Sequence, residues 1–277
     1  MIVFPNAKLN LGLNIIRKRD DGFHDLETVF YPLSIYDALE INTRNSGSKI
    51  HFSSSGNDID TPADQNICLK ACHLLKKDFP DLPPVSIHLH KNIPIGAGLG
   101  GGSADGAFTL LLLNKKFKLG LSQEQLVDYA LKLGSDCPFF IINKPCLARG
   151  RGEIMTEIAL DLSAYHLVVI NPGIHISTAN AFKDIIPSQK ENVVKDLITK
   201  PVTEWKNLLC NDFENAVFKQ FPEIDSIKKL LYDKGAVYAS MSGSGSTVYG
   251  IFEKKNFLQE NLAQYSFPAH YFIKIIS

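Results

Sequence analysis

No Cys-x-x-Cys occurs in this sequence, and its five cysteines (Cys68, Cys72, Cys137, Cys146 and Cys210) form an odd set that no disulfide framework uses up. Cys68 and Cys72 stand at i, i+4 on a predicted helix, yet no second pair lies nearby to complete a zinc site. Buried, reduced thiols are expected. An excess of either charge is also missing. Lysine plus arginine and aspartate plus glutamate count 29 each, so no overall field draws the chain to nucleic acid or a membrane surface. No apolar run approaches about 18 residues, the length a membrane span needs. The chain opens on no basic-then-apolar stretch, and a soluble, cytoplasmic protein is expected. Repeats and low-complexity tracts are absent too. What is there is ordinary globular composition, 45% apolar and 21% charged. Its 277 residues suffice for one large or two modest domains with a buried core.

The densest signal is residues 94–107, where Gly96, Gly98, Gly100, Gly101 and Gly102 fall within seven residues. A predicted apolar helix follows at once, from Ala104 through Leu110, Leu111, Leu112 and Leu113 to Asn114, with Ser103 placed at its cap. Glycine lets a ligand approach backbone N–H groups closely, and a helix start supplies unpaired donors and a positive dipole end. Together they make a phosphate site. A flexible linker fits worse, because such linkers rarely feed directly into an apolar helix. The loop is not a Walker A motif, since no Gly-Lys-Ser/Thr closes it. Gly96 to Gly101 satisfies Gly-x-Gly-x-x-Gly, but Pro94 interrupts the lead-in and no second strand with a terminal acid follows, as a dinucleotide fold requires. Protein-kinase signatures are missing as well.

Elsewhere the residues alone admit two readings. In residues 7–16, Leu9, Leu11, Leu13 and Ile15 alternate with Lys8, Asn10, Gly12 and Asn14; pattern alone fits a strand with one wet face. Asp20-Asp21-Gly22 is a turn ahead of Phe23 and His24. Helix signals run from Thr61-Pro62 to Phe79 after a polar loop over 53–60, and Val85–His90 alternates as a strand that leads to the loop. His88 and His90 read as a wet face without a carboxylate to make a metal site. Lys91 reads as a nucleotide contact or a solvated charge. Ser122 and Gln125 form a capping box. Asp136, before Cys137-Pro138, suits a helix cap, and Arg149 to Glu153 suits a turn. Helices are expected over 203–220 and 223–234, strands over 167–170 and 271–276, and a hairpin turn over 239–248.

The stretch Pro94-x-Gly96-x-Gly98-Leu99-Gly100-Gly101-Gly102-Ser103-Ala104 resembles the ATP loop of the GHMP small-molecule kinases. Its three consecutive glycines before the serine are most similar to the branch that phosphorylates 4-diphosphocytidyl-2-C-methyl-D-erythritol. Lys8 falls on that family's opening Pro-x-Ala-Lys-x-Asn-Leu motif, and Leu133-Gly134-Ser135-Asp136-Cys137-Pro138 on its Leu-Gly-x-Asp-x-Pro motif. Ser242-Gly243-Ser244 falls on its late glycine-rich loop, and Pro172, Gly173, Ile176, Thr178 and Phe182 on a further branch pattern.

The resemblance implies an α+β, two-domain fold. Residues 1–155 would form a ribosomal-protein-S5-domain-2-like ATP domain and residues 156–277 an α/β-sandwich substrate domain, with ATP and substrate in the cleft between them. It implies ATP bound by Pro94, Gly96, Gly98, Leu99, Gly100, Gly101, Gly102, Ser103 and Ala104, with Asn66 near the adenine. Asp136 is the implied base and Lys8 its catalytic partner. Asn10, Phe23, His24 and Phe182 are implied at the substrate, with Phe23 and Phe182 facing each other across the cytosine. Relatives often carry Tyr where this chain has Phe23, a change that keeps stacking and drops a hydroxyl. Mg²⁺ is implied, near Ser103, with its protein ligands left open. The implied partner is the small-molecule substrate alone, without nucleic acid or membrane; oligomeric state is not implied. The rivals are a homoserine or mevalonate type of GHMP kinase, a nicotinamide-dependent oxidoreductase built on Gly96 to Gly101, and a nucleic-acid-binding module of the same fold type, which the neutral charge disfavours.

Overall fold

The structure, a computed structural model, describes residues 1–44, 50–59, 62, 64–183, 185–257 and 267–277. Asp60 and Thr61, where the polar loop ends and helix signals begin in sequence, lie outside the described residues. In chain order the strands are β1 (Ile2–Val3), β2 (Asn6–Lys18), β3 (His24–Tyr36), β4 (Ala38–Thr43), β5 (His51–Gly56) and β6 (Val85–Lys91). They continue with β7 (Cys146–Gly150), β8 (Ile154–Glu157), β9 (Tyr165–Asn171), β10 (Tyr238–Met241), β11 (Val248–Glu253) and β12 (Phe272–Ile276). The helices are α1 (Ile67–Asp78), α2 (Gly101–Phe117), α3 (Gln123–Leu131) and α4 (Cys137–Ile142). After them come α5 (Thr178–Ala181), α6 (Val193–Ile198), α7 (Glu214–Gln220) and α8 (Pro222–Asp233). None of the described helices is long and apolar enough to cross a membrane.

Two compact units interleave along the sequence. The first contains residues 1–7, 34–95 and 100–143; the second contains 8–33, 96–99 and 144–277. The first unit is a sheet in the order β1-β4-β6-β5 with α1 to α4. Alternation makes its strands. Val85, Ile87 and Leu89 of β6 and Leu39 and Ile41 of β4 are buried, while His88 turns the other way onto Ser53 and Ser55. Helix α1 buries Cys68, Ala71, Cys72 and Leu75, the i, i+3, i+4, i+7 stripe of an amphipathic helix. Helix α2 is apolar nearly all round and buries residues on every side, Ala104, Ala107, Leu110 and Leu113 among them. The capping box at Ser122 and Gln125 forms at the start of α3. Four cysteines are buried and free; Cys210 is free but exposed.

The second unit holds the sheets β2-β3-β7-β8 and β10-β11-β9-β12. Its core gathers Leu13, Ile15, Val168, Ile170, Phe213 and Val248 around the apolar face of α8. Two sequence expectations change here. Lys8, Asn10 and Asn14, which pattern alone placed on a wet face, are buried at 4%, 3% and 6% exposure, so β2 is covered on both faces. The helix expected over 203–220 starts only at Glu214. The cause lies in the backbone of 210–212, which bonds to β2 instead: the Leu13 N–H donates to the Cys210 carbonyl and the Asp212 N–H to the Leu13 carbonyl, both at 2.9 Å. Glu27, fully buried on β3, accepts from Arg149 Nε and from the Val194 N–H at the start of α6. One carboxylate thereby ties β3, β7 and α6 together. Glu27→Ala leaves the Val194 N–H buried and unpaired, and it should cost about 2 kcal/mol, read as a lower urea midpoint with an unchanged slope.

Candidate functional site

The glycine loop is held from one side by backbone contact. In the second unit Gly98 has φ +77°, and a Cβ on it would lie 2.1 Å from the Ser242 carbonyl oxygen. Only glycine fits there. Ser242 sits in the turn that joins β10 to β11; its hydroxyl donates to the Gly98 carbonyl at 2.8 Å and accepts the Asn10 N–H at 3.1 Å. The Lys8 N–H donates to the Leu99 carbonyl at 2.9 Å and the Thr247 N–H to that of Ala97 at 3.2 Å. Three motifs that lie far apart in sequence (Lys8 to Asn10, Gly96 to Leu99, and Ser242 to Gly245) therefore meet in one unit. Within this knot Lys8 Nζ donates to Asn10 Oδ1 at 2.5 Å and lies 4.8 Å from the Phe30 ring centroid. Asn10 Nδ2 donates in turn to Thr28 Oγ1, which fixes the amide so that its oxygen faces the ammonium. Ser244 Oγ lies 3.1 Å from Thr178 Oγ1.

Gly100 onward belongs to the first unit. Helix α2 begins at Gly101, with Gly100 as its cap at φ +70° and no side chain capping it. Ser103 is thus inside the first turn, three residues past the cap position at which the sequence placed it. The reason is crowding. A Cβ at Gly101 would lie 2.9 Å from both Lys91 Nζ and Ile93 Cγ2, so the helix can start early only because the residue is glycine. The first-turn N–H groups of α2 accordingly receive no side-chain cap, the arrangement an anion site needs. Ser103 hydrogen-bonds the Cys137 thiol, whose pKa burial pushes up to about 12. Asp136 precedes that cysteine. It stands at the N-cap of α4 with Pro138 in the first turn, but its carboxylate makes no capping bond. The cap reading of Asp136 therefore fails, and Ser103 and Asp136 lie close together in the first unit.

Beside them is a cavity of about 300 Å³ lined by Asn66, Ile67, Lys91, Ile95, Ser103 and Asp105, among others. Asn66 is committed locally, since its Oδ1 caps α1 by accepting from the N–H groups of Cys68 and Leu69. Lys91 is neither solvated nor available as a simple nucleotide contact: it is buried between Asp37 and Asp105 and donates to both. Asp37 also accepts from the N–H groups of Asn92 and Ile93, at 2.6 and 2.8 Å, and so anchors the lead-in to the glycine loop. Asp105 accepts from Lys91 through Oδ2, while its Oδ1 is buried without a hydrogen-bond partner among the described residues. Burial, reinforced by the Asp37 charge against the pull of Lys91, raises the Asp105 carboxyl to about 7. No sequence pattern links this cluster: Lys91 reads as a nucleotide contact or a solvated charge, and Asp37 and Asp105 lie in separate segments.

The rings that the resemblance implies at the substrate lie in the second unit. Phe23 is 52% exposed, in a turn pinned by its N–H to Asp21 Oδ1. His24 stacks on Phe182 with ring centroids 4.7 Å apart and planes at 16°, and Phe182 meets the edge of Phe213. Burial, helped by Lys18, lowers the His24 pKa, so the ring is neutral near pH 7. The structure thus brings Phe182 against His24, whereas the resemblance paired it with Phe23. Phe23 instead faces Arg151, whose guanidinium carbon is 4.8 Å from the ring centroid. Among the described residues no group of three or more His, Cys, Asp or Glu could hold a metal ion.

The GHMP kinases N terminal domain family matches residues 66–144 and the GHMP kinases C terminal family residues 193–266. A 4-diphosphocytidyl-2-C-methyl-D-erythritol kinase from Bacteroides fragilis is 52% identical over 270 residues, covering 97% of each chain. One of the same name from Bacteroides thetaiotaomicron is 52% identical over 261 residues, 94% of this chain and 95% of its own. A solved 4-(cytidine 5'-diphospho)-2C-methyl-D-erythritol kinase superposes with a TM-score of 0.77 at 29% identity, covering 100% of this chain and 99% of that one. A mevalonate kinase reaches 0.75 at 14% identity over 100% of this chain and 98% of its own, a likeness of fold alone.

Asp105 gives this region a pH signature. Its carboxyl titrates above its ordinary 3.8, so the stability it adds is complete below that value and is lost as pH rises through about 7. Asp105→Asn, neutral throughout, should flatten the wild type's fall in Tm between roughly pH 4 and 8. Parallel Tm profiles for the two proteins would contradict this.

Proposed function

The chain belongs to the GHMP kinase family, and on that footing we propose that it transfers the γ-phosphoryl group of ATP to the 2-hydroxyl of 4-diphosphocytidyl-2-C-methyl-D-erythritol. The products are the 2-phosphate and ADP, on the methylerythritol phosphate route to isoprenoid precursors. The observation that carries the acceptor is the ring group of the second unit, an exposed Phe23 beside a His24–Phe182 stack. A cytosine has two apolar faces and a polar edge, which rings and a neutral imidazole suit. Homoserine and mevalonate have no such group. The name shared by relatives that match almost end to end supports the same reading.

Phosphoryl transfer asks a protein mainly to position groups and neutralise charge. In this reading the residues from Pro94 to Ala104 take the ATP phosphates through backbone N–H groups and the positive end of α2. The cavity beside Asn66 takes the nucleoside. Asp136 accepts the proton of the 2-hydroxyl as its oxygen attacks. Lys8, oriented by Asn10, stabilises the charge that builds on that oxygen and on the transferring group. Asn10, Phe23, His24 and Phe182 hold the acceptor. Ser103, in the first turn of α2, would be the protein contact of a Mg²⁺ ion that arrives on the nucleotide. When bound, that ion neutralises the β- and γ-phosphate oxygens.

ADP release from Mg-ATP, measured against the cytidyl compound, mevalonate, homoserine and galactose, tests the proposal. Turnover is expected with the cytidyl compound alone. Turnover with another acceptor in its place would overturn the ring assignment and leave the kinase.

A further inference from the structure

Arg151 lies in the turn between β7 and β8, which in sequence looked like no more than a turn. Its side chain is one-third exposed. It lies over one face of the Phe23 ring, with Cζ 4.8 Å from the centroid. The turn that delivers it is tight. Gly150 has φ +68°, and a Cβ there would stand 2.9 Å from the Glu153 carboxylate, which accepts the Arg151 N–H at 2.5 Å. The guanidinium itself gains little from that carboxylate. Its Nε is 3.6 Å from Glu153 Oε1 and is buried without a hydrogen bond. Besides that carboxylate and the nearby charge of Asp21, the guanidinium has the aromatic face of Phe23 as its contact.

Phe23 needs such a partner. Its backbone is fixed: the N–H donates to Asp21 and the carbonyl accepts the Arg19 N–H at 2.8 Å. Arg19 in turn pairs with Asp21 and Asp25. Nothing in that turn restrains the ring, however, and an exposed Phe ring unsupported on both faces changes rotamer freely. A planar cation on one face holds the ring in one orientation and leaves the opposite face for a second flat group.

We propose that Arg151 is a positioning residue for the acceptor: its guanidinium backs the Phe23 ring and presents the ring's free face to the pyrimidine base. The assignment rests on the function proposed above. Arg151 acts through Phe23 and touches neither the reacting hydroxyl nor ATP. It therefore governs how well the base-bearing substrate binds and leaves the chemical step unaltered.

A double-mutant cycle with Arg151→Ala, Phe23→Ala and the pair tests this, reading KM for the cytidyl substrate, KM for ATP and kcat. Calorimetric binding of cytidine 5'-diphosphate gives a second readout that needs no turnover. Arg151→Ala should raise KM for the cytidyl substrate, and the Kd for the diphosphate, roughly three- to tenfold, with kcat and KM for ATP unchanged. In the Phe23→Ala background the same change should add less than about twofold, because the ring it supports is gone. Arg151→Met, with similar bulk and no charge, should resemble the alanine variant. An equal effect of Arg151→Ala in both backgrounds would overturn the proposal, placing Arg151 directly on the substrate. So would a normal KM in Arg151→Met. Absence of wild-type turnover with the cytidyl substrate would instead defeat the function proposed above, so the two failures are separate.

Discussion

The Ser242 hydroxyl is the joint on which the polar knot of the second unit depends. It has one proton to give and lone pairs to receive with, and both are used: it donates to the Gly98 carbonyl and accepts the Asn10 N–H. The Asn10 carbonyl in turn accepts from the buried Tyr249 hydroxyl. Strand β2, glycine loop and hairpin are thus locked at bonding distance, although Asn10 and Ser242 are 232 residues apart. The same contact explains Gly98, because the backbones approach too closely for any Cβ. Asn211 secures the hairpin from behind, donating to the carbonyls of Met241 and Gly243 at 2.7 and 2.8 Å.

Polar groups are handled in the same way throughout: they are taken out of water only with their partners supplied. Lys8 goes in with Asn10, Glu27 with Arg149 and the Val194 N–H, and Lys91 with two carboxylates. Among the described residues two atoms are exceptions, Arg151 Nε and Asp105 Oδ1, and the Asp105 carboxyl titrates near neutrality. It borders the cavity beside the start of α2. A cost at that place, in a protein otherwise careful of its buried polar atoms, fits a region shaped for a ligand and not for stability alone.

Much of this was legible in the sequence because the chemistry demands unusual residues. Five glycines before an apolar helix cannot be explained by packing alone, and the hairpin, the capping box at Ser122 and the strand periods all followed from local pattern. Burial was less legible. Alternation in β2 looks the same whether the polar face meets water or a second layer of protein, so Lys8, Asn10 and Asn14 read as wet although other segments of their own unit cover them. Tertiary pairing also overrode local preference at residues 210–212, where bonds to Leu13 replaced a helix. The Asp37–Lys91–Asp105 cluster and the Arg151–Phe23 contact join segments with no shared pattern. Only three-dimensional proximity reveals them.

On this account the nucleotide is held chiefly by backbone donors, and the proton is handled by one carboxylate, so binding and chemistry are separable. Asp136→Asn tests that division most directly, through kcat with the cytidyl substrate alongside the Kd for ATP. The account predicts a fall in kcat of roughly 10²–10⁴ with ATP affinity unchanged. Near-normal turnover in that variant would contradict it by removing Asp136 as the base, and loss of ATP binding would contradict it by showing that the carboxylate holds the nucleotide.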